Sequence, residues 1–234
     1  MSAVRIISVF PELLGTYGDV GNVTVLERRL AWRGIDAEVV TVGVEEPLPR
    51  GGDIYVFGGS EDDNQARALV ALRSSHLLDT VAGGAHLFAV CAGLQMLGRT
   101  VTGLDGVRVE GLGLLDAETS RIDKRVVGEV VAVAEEVVLP PLTGFANHGG
   151  GTVLGPAARP LGRTIVGRGN EGTTGGPEGA VQGTVVATYL HGPVLARNPA
   201  FADWLLERVT GLTLEPLPAG PAEALHDTLV RAQA

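Results

Sequence analysis

The sequence predicts an α/β protein: a doubly wound mixed sheet with helices on both faces, plus added antiparallel strands. Three observations carry this. Short β-branched runs alternate with helix-patterned segments from Val4 as far as Gly98. Several runs stop at glycines or other small residues, where a parallel sheet presents its binding loops. Beyond Gly98 the helical pattern gives way to short strands punctuated by turns. The alternating part is expected to form a flavodoxin-like sheet.

Residues 4–10 form the first strand, ended by Pro11, and a polar, glycine-containing loop follows at 16–22 (TYGDVGN). Val23, Leu26, Leu30 and Trp32 then mark a helix that Gly34 terminates. Residues 37–42 and 53–57 are the next strands, the latter stopped by Gly58-Gly59. Helices are expected over 61–72, with Asp62 and Asp63 in the first turn, and over 75–82. Residues 85–90 make a buried strand that turns abruptly at Cys91 into a helix from Leu94. From Val101 to Val138 the expected strands are 107–109, 111–115 and 126–133. Residues 144–151 (GFANHGGG) read as a glycine-dense loop, 162–167 and 179–182 as short strands, and 169–179 as irregular. Residues 184–190 are a strong strand ended by His191-Gly192-Pro193. The following helix, to about Val209, has Asn198 as its expected cap and Pro199 at its first position. One domain over 1–212 and a tail over 213–234 with a short amphipathic helix complete the organisation.

Composition narrows the function. With 234 residues, 45% hydrophobic and 19% charged, the chain buries a substantial core. A net charge of −9 disfavours nucleic acid as a partner. No apolar run is long enough to span a membrane, and no leader pattern precedes the first strand. The lone cysteine, Cys91, fits a reducing cytoplasm and leaves no multi-cysteine metal site within the chain. Lys124 is the only lysine, and no P-loop for ATP occurs.

A strand-to-helix turn flanked by Ala92 and Gly93 holds a nucleophile exposed at a sheet edge. Cys91 needs a histidine base. His191 follows a strand just as Cys91 does, so both belong on one carboxyl edge, which favours it over His148. The backbone at Ala92 and at Gly58-Gly59 offers donors for an oxyanion. A tight turn is the rival reading of Gly58-Gly59, and packing in a core is the rival reading of Cys91.

These pieces resemble class I glutamine amidotransferases, and His191-Gly192-Pro193 resembles their cobyric acid synthase-like (CobB/CobQ) branch. Most of the class carries a glutamate two positions after the histidine. Here that position is Pro193, so a Cys–His dyad is expected, any third member coming from elsewhere. The loop at 16–22, Lys124-Arg125-Val126-Val127-Gly128 and the segment at 144–150 are similar to the glutaminase subunits of lipid II isoglutaminyl synthase (GatD). The resemblance implies that Cys91 is the nucleophile, His191 the general base and Arg125 the anchor for L-glutamine, with Arg121 as rival anchor. It also implies a Mur ligase-like partner (MurT) that uses ATP and carries the lipid II substrate, with no cofactor in this chain. Three rivals stay open: a corrinoid-directed glutaminase, a non-catalytic module of the DJ-1 type and a free-standing γ-glutamyl peptidase. No role follows for Asn147-His148, and the loop at 16–22 either lines the site or merely caps a helix through Asp19 or Asn22.

Overall fold

In the computed structural model, residues 2–103, 106–135 and 139–233 are described. Positions 136–138, the end of the β-rich stretch, lie outside them, as does Ala234. The first half runs β1 (Val4–Val9), α1 (Gly21–Ala31), β2 (Ala37–Val42), β3 (Ile54–Phe57), α2 (Asp62–Arg73), α3 (Leu77–Ala82), β4 (His86–Val90) and α4 (Ala92–Leu97). The second half comprises β5 (Thr100–Thr102), β6 (Arg108–Glu110), β7 (Ala117–Ala134), β8 (Leu142–Leu154), β9 (Gly162–Val166), β10 (Pro177–Glu178), β11 (Ala180–Gln182), β12 (Val185–Thr188), α5 (Val194–Arg197), α6 (Pro199–Thr210) and α7 (Pro221–Gln233).

The central sheet has the order β11-β12-β4-β3-β1-β2. Only the edge strand β11 runs antiparallel to its neighbour. Every residue of β3 and β12 is buried, as expected for strands covered on both faces. Ile6, Ile7, Tyr55, Phe57, Phe88 and Phe201 lie at the centre of this core. Helix α1 buries Val23, Leu26 and Leu30 of the anticipated stripe, whereas Trp32 follows its last turn and is exposed. Helix α6 starts at Pro199 and ends at Gly211 in the left-handed conformation (φ 69°). Among the described residues no helix is long and apolar enough to cross a membrane.

The second sheet is built on β7, whose long hairpin with β8 shifts register between Arg121 and Val126. Strand β9 pairs antiparallel with β7, and β5 pairs parallel with it. An isolated bridge between Phe145 and His191 stitches β8 to the carboxyl edge of the central sheet. The second sheet thus becomes a wall over the ends of the parallel strands.

Three expectations are corrected. Residues 144–151 are not a loop but part of β8. Their glycines serve close packing: a Cβ on Gly144 would lie 2.5 Å from Leu190 Cβ, and one on Gly150 2.7 Å from Gln95 Nε2. Residues 111–115 are not a strand, because Leu112 and Leu115 donate their amides to the Met96 and Leu97 carbonyls at the end of α4. Asn198 is not a side-chain cap. Its amide instead accepts from the Thr143 N–H (2.8 Å) and donates to the Thr143 carbonyl (2.7 Å), joining β8 to the start of α6.

Candidate active site

Four adjacent strands, β12, β4, β3 and β1, deliver their carboxyl ends to one place. Cys91 follows β4 with φ 54° and ψ −108°, a strained backbone for a residue that bears a Cβ. Its amide donates to the Thr188 carbonyl (2.8 Å), which ties the turn to β12. The residue is 6% exposed, and its thiol faces the carbonyl oxygen of Asn147 at 3.9 Å.

His191 is buried one turn of chain beyond β12, its backbone held in both directions by Phe145. Its Nδ1 lies 3.0 and 2.9 Å from the two carboxylate oxygens of Asp19. That leaves the buried Nε2 as the ring nitrogen that interacts with Cys91. Burial pulls the His191 pKa down, but hydrogen bonding to Asp19 and the hydrogen bond and charge of Cys91 outweigh it, raising the pKa to about 10. Tyr17 packs edge-on against the ring with centroids 4.9 Å apart.

The Asp19 carboxylate is itself fixed: it accepts the Gly59 N–H at 2.8 Å. Gly59 lies where the three groups converge. A Cβ there would fall 2.8 Å from His191 Cε1, 3.2 Å from Asp19 Oδ2 and 3.2 Å from Cys91 Cβ. No side chain fits between them. The rest of the loop after β1 serves the same join. Asn22 accepts the Leu195 N–H (3.0 Å), and Gly21 is packed against the Pro193 ring. Neither Asp19 nor Asn22 caps α1.

Cys91 opens on a cavity of about 220 Å³. Ala92, Gln95, Arg121, Arg125, Asn147 and His148 line it, as do Ser60, Glu61 and Asp62. Both arginines proposed as anchors therefore reach the same cavity. Arg125 donates to Asn147 Oδ1 (2.6 Å), and Asn147 donates in turn to the Tyr17 hydroxyl (2.5 Å). Arg121 is 3.8 Å from Asp62. Cations and carboxylates lining one cavity suit a zwitterion such as an amino acid. A nucleophile at a strained elbow, an imidazole beside it and a carboxylate behind the imidazole form the geometry of acyl transfer.

A model of the CobB/CobQ-like glutamine amidotransferase domain matches residues 5–199. The chain belongs to that family. The GatD subunit of lipid II isoglutaminyl synthase from Staphylococcus aureus is 32% identical over 92% of this amidotransferase and 89% of its own length. The Streptococcus pneumoniae subunit of the same name is 31% identical over 85% of the chain and 77% of its own. Brucella canis cobyric acid synthase is 37% identical, but over 66% of this chain and only 32% of its own. Among solved structures, a glutamine amidotransferase superposes with a TM-score of 0.59 at 21% identity, covering 87% of this chain and 98% of that one. The glutaminase domain of Trypanosoma brucei CTPS gives 0.55 at 14% identity, covering 94% and 99%. At such identities these two establish the fold of the amidotransferase alone.

Cys91, Ala92 and Arg125 line one cavity, and Gly59 and His191 lie against Cys91 without being part of that lining. The structure also corrects one reading of the backbone. The Gly59 amide is committed to Asp19, so it is not a free donor for an oxyanion. Sequence reasoning missed Asp19. With Pro193 where a glutamate was looked for, it expected a dyad with any third member from elsewhere, and the residue that meets His191 comes from the loop after the first strand. The available signal was the density of polar residues in that loop, directly at the carboxyl end of a strand.

Proposed function

We propose that this amidotransferase is the glutamine-hydrolysing subunit of a lipid II isoglutaminyl synthase, acting through Cys91, His191 and Asp19. The observation that carries the chemistry is the bidentate contact of Asp19 with His191 Nδ1, which turns the other ring nitrogen to the thiol at the elbow. Near-full-length similarity to two subunits of that name supports the substrate. The cobyric acid synthases share only a third of their length with the chain, which favours the first assignment over a corrinoid acceptor.

In the reaction the Cys91 thiolate attacks the side-chain amide carbon of glutamine. The oxyanion is met by the Ala92 amide and, since Gly59 is occupied, by the backbone of Ser60, which lines the same cavity. His191 gives its Nε2 proton to the departing nitrogen, ammonia leaves and a glutamyl thioester remains. The neutral imidazole then takes a proton from water, whose attack frees glutamate and restores the thiol–imidazole pair. Asp19 holds the tautomer and stabilises the imidazolium throughout. Arg125 binds the substrate carboxylate, with Arg121 beside it. Ammonia passes to a Mur ligase-like partner of the MurT kind, which uses ATP to activate the carboxylate that is amidated.

Replacing Cys91 by Ser removes the thiolate at almost constant volume. Ammonia release from glutamine by the chain with its partner should fall to background while the circular dichroism spectrum is unchanged. Undiminished release from Cys91→Ser would refute the assignment.

A further inference from the structure

Asn147 finds partners in Arg125 and Tyr17, whereas its neighbour His148 takes no part in the chemistry above. His148 is only 2% exposed, yet it lines the cavity on which Cys91 opens. Its Nδ1 lies 2.7 Å from the Gly150 carbonyl oxygen. A carbonyl can only accept, so Nδ1 carries the hydrogen and donates it. Burial lowers the pKa of the ring to about 4, His191 and Arg125 push the same way, and only the Gly150 bond opposes them. In a neutral ring protonated at Nδ1, Nε2 is an acceptor.

That nitrogen is buried and unpartnered, and among the described side chains lining the cavity no other buried polar atom is left so. Buried acceptors are rarely left unmet without a reason. The ring is also held. It stacks on Tyr189 with centroids 3.9 Å apart and planes 23° apart. The Tyr189 hydroxyl is fixed by Thr152 (2.7 Å) and Gln95 (3.2 Å), and Thr119 and Gln65 brace these in turn. The acceptor is therefore oriented before any ligand arrives.

Resting on the glutaminase reading, we infer that His148 Nε2 accepts a hydrogen bond from the carboxamide nitrogen of glutamine and then from the ammonia it becomes. The leaving nitrogen needs its lone pair turned towards the His191 proton when the tetrahedral intermediate collapses. Holding one of its N–H bonds against His148 sets that orientation. As the C–N bond breaks, its electron pair goes to nitrogen, the His191 proton joins it and the thioester carbonyl re-forms. No proton is transferred to His148. The two imidazoles divide the work: His191, backed by a carboxylate, is the cationic donor, and His148, backed by a carbonyl, is the neutral acceptor.

An ester leaving group tests this, because it has no N–H to offer. His148→Phe keeps a ring to stack on Tyr189 and deletes the acceptor. In the chain with its partner, kcat for L-glutamine should fall at least about tenfold, whereas kcat for L-glutamate γ-methyl ester should stay within about twofold. His148→Gln, whose amide oxygen can accept, should recover part of the glutamine rate. Parallel loss on both substrates, or no loss on either, would overturn the role of His148 while leaving the glutaminase assignment standing. Failure of the wild-type complex to hydrolyse glutamine would remove both. If His148→Phe does not fold by circular dichroism, the same substrate comparison on His148→Leu, which also lacks an acceptor, decides: a glutamine rate depressed no more than the ester rate would refute the inference.

Discussion

Three side chains meet at one glycine, and in the proposed chemistry the least conspicuous of them is Asp19. Its carboxylate spans both His191 Nδ1 and the Gly59 amide. Asp19→Asn keeps the volume and one acceptor but removes the charge that favours the imidazolium. The His191 pKa, now raised to about 10, should fall, because burial then acts with less opposition. The linkage has a definite sign. A histidine whose folded pKa is raised contributes stability below its unfolded value of 6.5, and that contribution fades as pH climbs through about 10. Asp19→Asn should therefore narrow the alkaline side of the stability profile and lower kcat on the order of 10²–10⁴-fold. An imidazole NMR titration, with kcat at saturating glutamine, checks both. A variant with wild-type kcat would show that Asp19 is only structural.

At the scale of elements, β12 and the strand ends beside it decide whether His191 arrives in register. Glu178, on β10, accepts from the Thr188 hydroxyl and the Tyr189 amide (both 2.8 Å), with its second oxygen unpartnered. Burial raises its pKa to about 7, against the pull of those two hydrogen bonds. Folding thus favours the protonated acid, so stability is full below about pH 4.5 and declines as pH rises through about 7, by roughly 3 kcal/mol at most. Glu178→Gln keeps the accepting oxygen and cannot ionise. Denaturant midpoints at pH 5 and pH 8 should differ less for the variant than for the wild type; equal differences would mean the acid is already ionised at pH 5. The elements also show what a sequence can reveal. Cys91 was legible because the small residues Ala92 and Gly93 after an apolar run allow only a sharp turn, and His191 because it ends a strand of the same sheet. Strand β8 was not legible. Its glycines resemble a loop until Leu190 and Gln95 are seen pressed against them. Asp19 was hidden for a related reason: the pairing joins residues 172 positions apart, and nothing local records it.

For the whole molecule, one ion network joins the α1, α6 and α7 layer to the C-terminal segment. Arg29 meets Asp203 through two hydrogen bonds of 2.6 and 2.7 Å, and Arg33 reaches the same carboxylate at 2.7 Å. Both guanidiniums are about as buried as core residues, at 6% and 5% side-chain exposure. Arg33 also donates to the Glu215 carbonyl (2.7 Å), Glu223 of α7 lies 3.7 Å from Arg29, and His226 contacts the Pro141 carbonyl (2.8 Å). The described tail, 213–233, therefore packs through α7 on the chain's own helices and on β8. Removing Asp203 strands one buried guanidinium and leaves the other only a distant carboxylate. Cations buried this way cannot shed their charge, so the cost exceeds that of losing an exposed pair. Asp203→Ala should destabilise the fold by about 3–5 kcal/mol and lower Tm by roughly 10 °C. Among the described residues, no hydrogen bond or ion pair of the network reaches the strands that carry Cys91, His191 or Asp19. At a temperature where the variant is folded, its kcat for glutamine should stay within about twofold of wild type. Thermal melts with parallel kinetics separate the two effects: a melting point unchanged by the substitution would mean water already shares these charges.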